Sequence, residues 1–207
     1  MAIDYSLASL TYAIMKSDDC GLDRAQFALA DLLRAEDLGE TFDDVEAVGV
    51  LHHLASPLEG LRTLVRVLNS GGVVYLALYA RAARRLLDPA RRLIKSPPRT
   101  DAEMRAYRAL ALTGEVAPEI VHSPDFYSPG GCRDLIFHER DQSFDLPEDQ
   151  NLLSDAGLKL LAVQPPARAT TMAQIPGHAD LLGWHAAEVA EPRLFGGMYH
   201  IWAKLDE

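Results

Sequence analysis

Long apolar runs are missing from this chain: nothing in its 207 residues approaches the roughly 18 to 20 needed to cross a bilayer. A basic leader with a small-residue cleavage site is missing too, so the expected compartment is the cytoplasm. Cysteine is scarce. Cys20 and Cys132 stand far apart, which excludes a disulfide framework or zinc ribbon built on clustered, regularly spaced cysteines. Positive charge is also short, with 20 Lys and Arg against 30 Asp and Glu and a formal charge of -10. Phosphate binding needs a basic surface that releases counterions, so nucleic acid is not an expected partner. Among the 14 glycines no G-x-G triplet occurs, and the earliest is Gly21.

What is present reads as alternating strand and helix. Ala2-Ile3-Asp4 has the character of the end of a buried strand. Ser6 follows as N-cap of a helix with Leu7, Leu10 and Ile14 at helical spacing. Residues 25–30 read as a short strand ending at Asp31, and Val45 to Leu51 as another of the length buried between helices. Ser56-Pro57-Leu58-Glu59 is a capping-box helix start. The predicted buried stripe is Leu58, Leu61, Leu64, Val65 and Leu68, with Asn69 to Gly72 as the stop. Val73 to Tyr79 is the next strand, which gives the spacing of parallel crossover units.

From Arg81 to about Thr113 the pattern is helical, broken at Pro97-Pro98. Arg81, Arg84, Arg85, Arg91, Arg92 and Lys95 lie there among Ala82, Ala83, Leu86, Leu87, Ala90, Leu93 and Ile94. That composition suits a solvated helix face whose arginine stems cover apolar surface, or else a face for a membrane or an acidic ligand. Asp125 to His138 mixes loop formers with a short apolar run. Leu146 to Ala156 reads as a helix stopped by Gly157, Leu158 to Val163 as a strand, His178 to Glu191 as a helix, and Met198 to Leu205 as a final strand. The last two strands are expected to pair as an antiparallel edge on an otherwise parallel sheet.

In such sheets ligands bind beyond the carboxyl ends of the strands. That rule selects Asp4, Asp31, the run from Gly49 to His53 and the Tyr79-Ala80 junction. An ionised carboxylate just after a strand has two acceptor oxygens for a ribose diol, although such an aspartate also serves as a plain helix cap.

The order Phe42-Asp43, Gly49-Val50-Leu51-His52-His53-Leu54-Ala55-Ser56-Pro57 and Gly71-Gly72-Val73-Val74 resembles the middle of class I S-adenosylmethionine-dependent methyltransferases. Asp4 to Leu10 resembles the acidic turn after their second strand. Phe126-Tyr127-Ser128 with residues 131–138 resembles a bacterial branch sometimes fused to tetratricopeptide repeats. The likeness covers about residues 1 to 165. It implies an α/β, Rossmann-like methyltransferase sheet, mostly parallel with an antiparallel C-terminal edge, in one domain over 1–207. Within it, 1–80 would be a partial cofactor-binding core, about 81–145 a helical cap, and 146–207 the C-terminal part of the sheet.

The same resemblance implies S-adenosyl-L-methionine as cofactor. Asp4 and Tyr5 would stand at its ribose, Asp31 and Leu32 at its adenine, and Gly49, Val50 and Leu51 beside its methionyl part. His52 and His53 would face the substrate, where a neutral imidazole can take a proton from the attacking group. Tyr127, Arg133 and His138 would line the substrate pocket, although an Arg-Asp pair in a loop, here Arg133-Asp134, is more often a structural latch than a catalytic unit. No spacing among the histidines matches a metal-ligand set. The methyl acceptor would be a small molecule or a protein.

One departure stands out. These enzymes begin with a strand and a glycine-rich G-x-G turn, and this chain has neither before Asp4. The expectation is that Met1 is an internal start and that the first strand and helix are absent. The gap would lie between the strand ending at Asp4 and the one ending at Leu51. Flanking strands would close it, or a second copy or partner chain would cover it. Activity of the 207 residues alone is therefore open, and the alternative is a non-catalytic, methyltransferase-derived interaction or regulatory module. A nicotinamide-linked oxidoreductase would share the acidic strand end but not His-His-Leu followed by Ser-Pro.

Overall fold

The structure is a computed structural model, and it describes residues 1–93, 95–114 and 119–206. Among the described residues six strands form two sheets. β1 (Ala2–Asp4) and β2 (Phe27–Leu29) pair in parallel. β3 (Phe42–Val48), β4 (Leu68–Tyr79), β5 (Leu158–Val163) and β6 (Met198–Leu205) form a second sheet in the order β3-β4-β6-β5. Within it β3 and β4 are parallel, and β6 runs antiparallel to both its neighbours. β6 alone reverses direction, giving the mostly parallel α/β sheet with an antiparallel edge. The two sheets do not pair with each other, so β1 and β3 have not closed the predicted gap.

The strand expected over Val45 to Leu51 lies earlier, at Phe42–Val48, because Gly49 takes a left-handed φ of 72° and turns the chain into a 3-10 turn at Leu51–His53. β4 begins at Leu68, so Asn69 to Gly72 lie within the strand rather than ending the helix, which stops at Arg66. A Cβ at Gly72 would meet the carbonyl oxygens of Asn69 and Asp43 at 2.9 Å. That crowding accounts for glycine at the register shift between β3 and β4.

α1 (Leu7–Asp19) starts where the Ser6 hydroxyl accepts the Ser9 N–H. Its predicted stripe is not buried as a stripe: Leu10 is buried, whereas Leu7 is 68% exposed and Ile14 41%. α2 (Pro57–Arg66) has Ser56 at its N-cap, but the capping box is half made. The Ser56 hydroxyl accepts the Glu59 N–H, and the Glu59 carboxylate pairs with Arg62 instead of reaching back. Leu61 and Leu64 of α2 pack against Val74, Leu76 and Leu78 of β4 in the main hydrophobic cluster. Each such fully buried side chain contributes about 1.5–3 kcal/mol. Gly60 seats the helix: a Cβ there would lie 2.3 Å from Leu54 Cδ1 and 2.9 Å from Leu51 Cδ2.

The predicted helical region consists of α3 (Arg81–Arg85), α4 (Asp88–Arg92) and α5 (Asp101–Ala111), followed by α6 (Pro129–Phe137). Ile94 lies outside the described residues. These helices have a hydrophobic cluster of their own, centred on Met104, Tyr107, Ile120, Phe126 and Cys132. The basic stretch is not the solvated face expected of it, because three of its arginines turn inward. Arg84 is 4% exposed and pairs with Asp141, Arg91 pairs with the same carboxylate, and Arg81 pairs with Asp145 and Glu148. α7 (Leu146–Asp155) and α8 (Leu181–Ala190) complete the cover of the main sheet. Among the described residues no helix is long and apolar enough to cross a membrane.

Candidate functional site

Asp4 and Asp31 stand just after β1 and β2, where the chain must turn. Each uses one carboxylate oxygen to hold that turn: Asp4 Oδ1 accepts the Ser6 N–H at 2.7 Å, and Asp31 Oδ1 accepts the Leu33 N–H at 2.9 Å. Each keeps a second oxygen as acceptor. Both aspartates line one cleft of about 650 Å³ between the two sheets, together with Tyr5, Leu32 and Val50. Its walls include Ile3 of β1 and Val45 and Ala47 of β3. Five of the predicted cofactor residues, Asp4, Tyr5, Asp31, Leu32 and Val50, are thus brought to one hollow.

Gly49 and Leu51 are not in it. Leu51 is fully buried in the main core, and Gly49 lies instead beside the Met198 methyl, 3.9 Å from an ideal Cβ. His52 is the larger departure. It was expected to face the substrate but is fully buried, lines neither the cleft nor the second cavity described below, and stacks on Tyr79 at 3.6 Å. Among the described residues neither ring nitrogen has a hydrogen-bond partner. Burial first, then His53, Arg84 and His138, lowers its pKa to about 3, so the ring is held neutral.

His53 and His138 stack at 3.7 Å, and both present Nδ1 to the Arg140 carbonyl, at 2.8 Å and 2.6 Å. For His53 the carbonyl acceptor calls for Nδ1–H and leaves Nε2 as the free ring nitrogen, while the His138 Nδ1 also lies 3.2 Å from the Arg140 N–H. His53 is pushed below the ordinary histidine value by burial, against the opposing pull of the Arg140 carbonyl. Gln142 ties the same turn down: its N–H donates to the His52 carbonyl, and its side-chain amide donates to that of Leu54.

The substrate residues predicted on the cap do not converge. Tyr127 is exposed and donates to the Val121 carbonyl, while Arg133 donates to the Pro98 carbonyl. A second cavity, of about 410 Å³, opens instead between the cap and the end of β4, lined by Tyr79, Arg84, His122, Asp125, Met198 and His200 among others. Tyr79 was legible as a strand end. Arg84, His122 and His200 carried no local signal, because they meet only through the packing of the cap on β6. A wider hollow of about 830 Å³ beside α8, lined by Ala167, Thr170, Met172 and Ala187, lies away from the carboxyl ends of β1 to β3. Among the described residues no three His, Cys, Asp or Glu side chains converge as a metal site.

This strand order, with acidic residues at the ends of adjacent parallel strands, defines a Rossmann-like fold. The fold is that of the class I S-adenosylmethionine-dependent methyltransferases, and residues 1–76 match the family model described as a methyltransferase domain. The chain resembles PKMT2 from Rickettsia typhi with a TM-score of 0.73 and 11% identity, over 99% of this chain and 43% of that one. That protein is also known in complex with AdoHcy. It also resembles an S-adenosylmethionine-dependent methyltransferase from Clostridium acetobutylicum, with a TM-score of 0.53 and 11% identity over the whole of this chain and 74% of the other. A curated relative, an uncharacterized protein of Synechococcus, is 36% identical over 104 residues, which is 48% of this chain. The chain spans a quarter of that relative's length.

Proposed function

We propose that this chain holds S-adenosylmethionine in the cleft between its two sheets and supports transfer of the cofactor's methyl group to a small-molecule or protein nucleophile. The carrying observation is that Asp4 and Asp31, at the ends of neighbouring strands, share one cleft with Val50. The donor set fits the group: the free oxygen of Asp4 accepts from the ribose hydroxyls, Asp31 from the adenine amine, and Leu32 and Val50 supply apolar walls. The bound cofactor supplies an electrophilic methyl on a sulfonium.

The acceptor belongs in the second cavity, beside Tyr79, Arg84 and Met198, with Met198 reaching back to Gly49 at the end of β3. Alignment of the nucleophile is the main requirement of such a displacement. His53, whose pKa burial pushes below the ordinary histidine value, is the group we assign to receive the acceptor's proton, from a position behind the cavity wall since it lines neither hollow. His52 acts as the rigid backing of Tyr79 and does not take part in proton transfer.

Calorimetric titration of the chain with S-adenosylhomocysteine tests the reading. Binding is expected, and Asp4→Ala weakens it about 10- to 100-fold, as follows from losing charge-assisted hydrogen bonds of about 1.5–3 kcal/mol. No heat from the unaltered chain, or an Asp4→Ala variant that binds equally well, overturns it.

A further inference from the structure

The hollow beside α8 has no part in the reaction proposed above, yet it is joined to the acceptor cavity. A smaller hollow of about 310 Å³ lies between them. It shares Arg168, Phe195, Gly196, Met198 and His200 with the acceptor cavity, and Ala167, Arg168 and Leu194 with the hollow beside α8. The three therefore make one groove, which runs from Tyr79 at the end of β4 past the 3-10 turn at Ala167–Thr171 to α8. Arg168 lines all three parts of it.

Charge and polarity change along this groove. Arg84, Arg168 and Arg193 line the acceptor cavity. Arg84 pairs with Asp141 and Arg193 with Glu119, whereas Arg168 has no carboxylate within ion-pair distance among the described residues. The opposing carboxylate of Asp125 lines only the acceptor cavity, on the cap side. His200 is tied by Nδ1 to the Tyr75 hydroxyl at 2.6 Å, and burial pushes its pKa below the ordinary histidine value, which disfavours a second positive charge there. Beyond Arg168 the groove turns apolar. Thr170 and Thr171 spend their hydroxyls on the carbonyls of Ala167 and Arg168, at 2.9 Å and 2.8 Å. Met172, Ala187, Ala190 and Leu194 set the character of the hollow, with Gln174 and Glu191 as its other polar residues. The Glu191 carboxylate accepts the Arg193 N–H at 3.3 Å. A guanidinium without a partner, standing between a reactive cavity and an apolar trough, calls for an anionic group that carries an apolar chain. A polypeptide would press part of its own backbone polar groups against that trough.

We propose that the methyl acceptor is a small amphiphilic acid. Its nucleophile lies beside Tyr79, its acid group on Arg168, and its apolar chain in the hollow beside α8. The proposal rests on the assignment of the acceptor cavity made above, but binding of such a molecule needs neither cofactor nor turnover.

The probe is N-decanoylserine, which joins a hydroxyl, a carboxylate and a long acyl chain, titrated calorimetrically below its micelle concentration. N-decanoylserinamide removes the charge, and N-acetylserine removes the chain. Saturable one-to-one binding of the acid is expected. The amide should bind about tenfold more weakly or worse, through loss of a charge-assisted hydrogen bond. N-acetylserine should bind roughly 100-fold more weakly or worse, through lost apolar burial. Arg168→Ala should weaken the acid about tenfold and leave the amide unchanged, a difference that general loss of structure would not produce. Ala190→Trp, at an exposed position of α8, should fill the hollow and weaken both decanoyl compounds about tenfold. Equal binding of acid and amide, an equal effect of Arg168→Ala on both, or an Ala190→Trp chain that binds as before overturns the proposal. S-adenosylhomocysteine is titrated separately. If it binds and N-decanoylserine does not, this proposal alone falls; the reverse overturns the cofactor reading and leaves the acid-binding groove.

Discussion

The molecule has two hydrophobic clusters made in different ways. The sheet cluster gathers residues from β3 to β6, α2, α7 and α8, with Leu76, Trp184 and Ile201 fully buried. The cap cluster draws on α4 to α6 and the turns between them, with Met104, Ile120 and Phe126 fully buried. Between them runs a polar seam in which Arg84 and Arg91 converge on Asp141 and His53 stacks on His138. A cavity lies on that seam. Apolar packing therefore makes each part rigid, while charge and hydrogen bonds hold one against the other.

That difference can be broken most strongly at Asp141. Asp141→Ala leaves Arg84 buried and unpaired, a loss of about 3–5 kcal/mol. In hydrogen exchange the amides of α3 to α6 should open well before those of β4 and β6. Simultaneous loss in both parts would show that the seam is not a boundary. Leu76→Ala and Met104→Ala, one in each cluster, should each cost about 2–5 kcal/mol in denaturant unfolding. The double variant should be additive within about 0.5 kcal/mol, because the clusters share no partner.

A smaller effect separates charge from packing within the sheet cluster. Asp149 of α7 is buried, with neither oxygen hydrogen-bonded among the described residues, and burial together with Asp145, Glu148 and Glu188 raises its pKa well above the ordinary carboxylate value. Its folded-state pKa lies above the unfolded one. The stabilising contribution of its neutral form is therefore complete below the unfolded pKa and lost as pH rises through the folded one. Asp149→Asn should flatten that loss in melting temperatures measured from acid to alkaline pH. The smallest change belongs to α1, where Leu7→Ser at an exposed position should alter stability by no more than about 0.5 kcal/mol.

Local chemistry explains what the sequence made legible. β5 and β6 match their predicted bounds because glycines stand just before them, Gly157 at φ 76° and Gly196 and Gly197 at 68° and 138°. The start of α2 was readable from Ser56-Pro57. The start of α6 carries the same signature in Ser128-Pro129, where the Ser128 hydroxyl accepts the Gly131 N–H at 2.9 Å. Two glycines after the proline hid it, since glycine argues against helix in any propensity scale.

The inward turn of Arg84 had no local trace, because its carboxylate partner is 57 residues further along the chain. The candidate site divides in the same way. Asp4 and Asp31 were legible because each caps the turn that follows its own strand. The orientation of His52 was not, because the aromatic ring that holds it is on β4.

The seat of α2 has one more consequence. Leu54, which touches the missing carbon of residue 60, is also on the wall of the cleft between the sheets. A methyl group at residue 60 would therefore push the Leu54 side chain aside, so a substitution on the helix would be felt at the wall of the cleft.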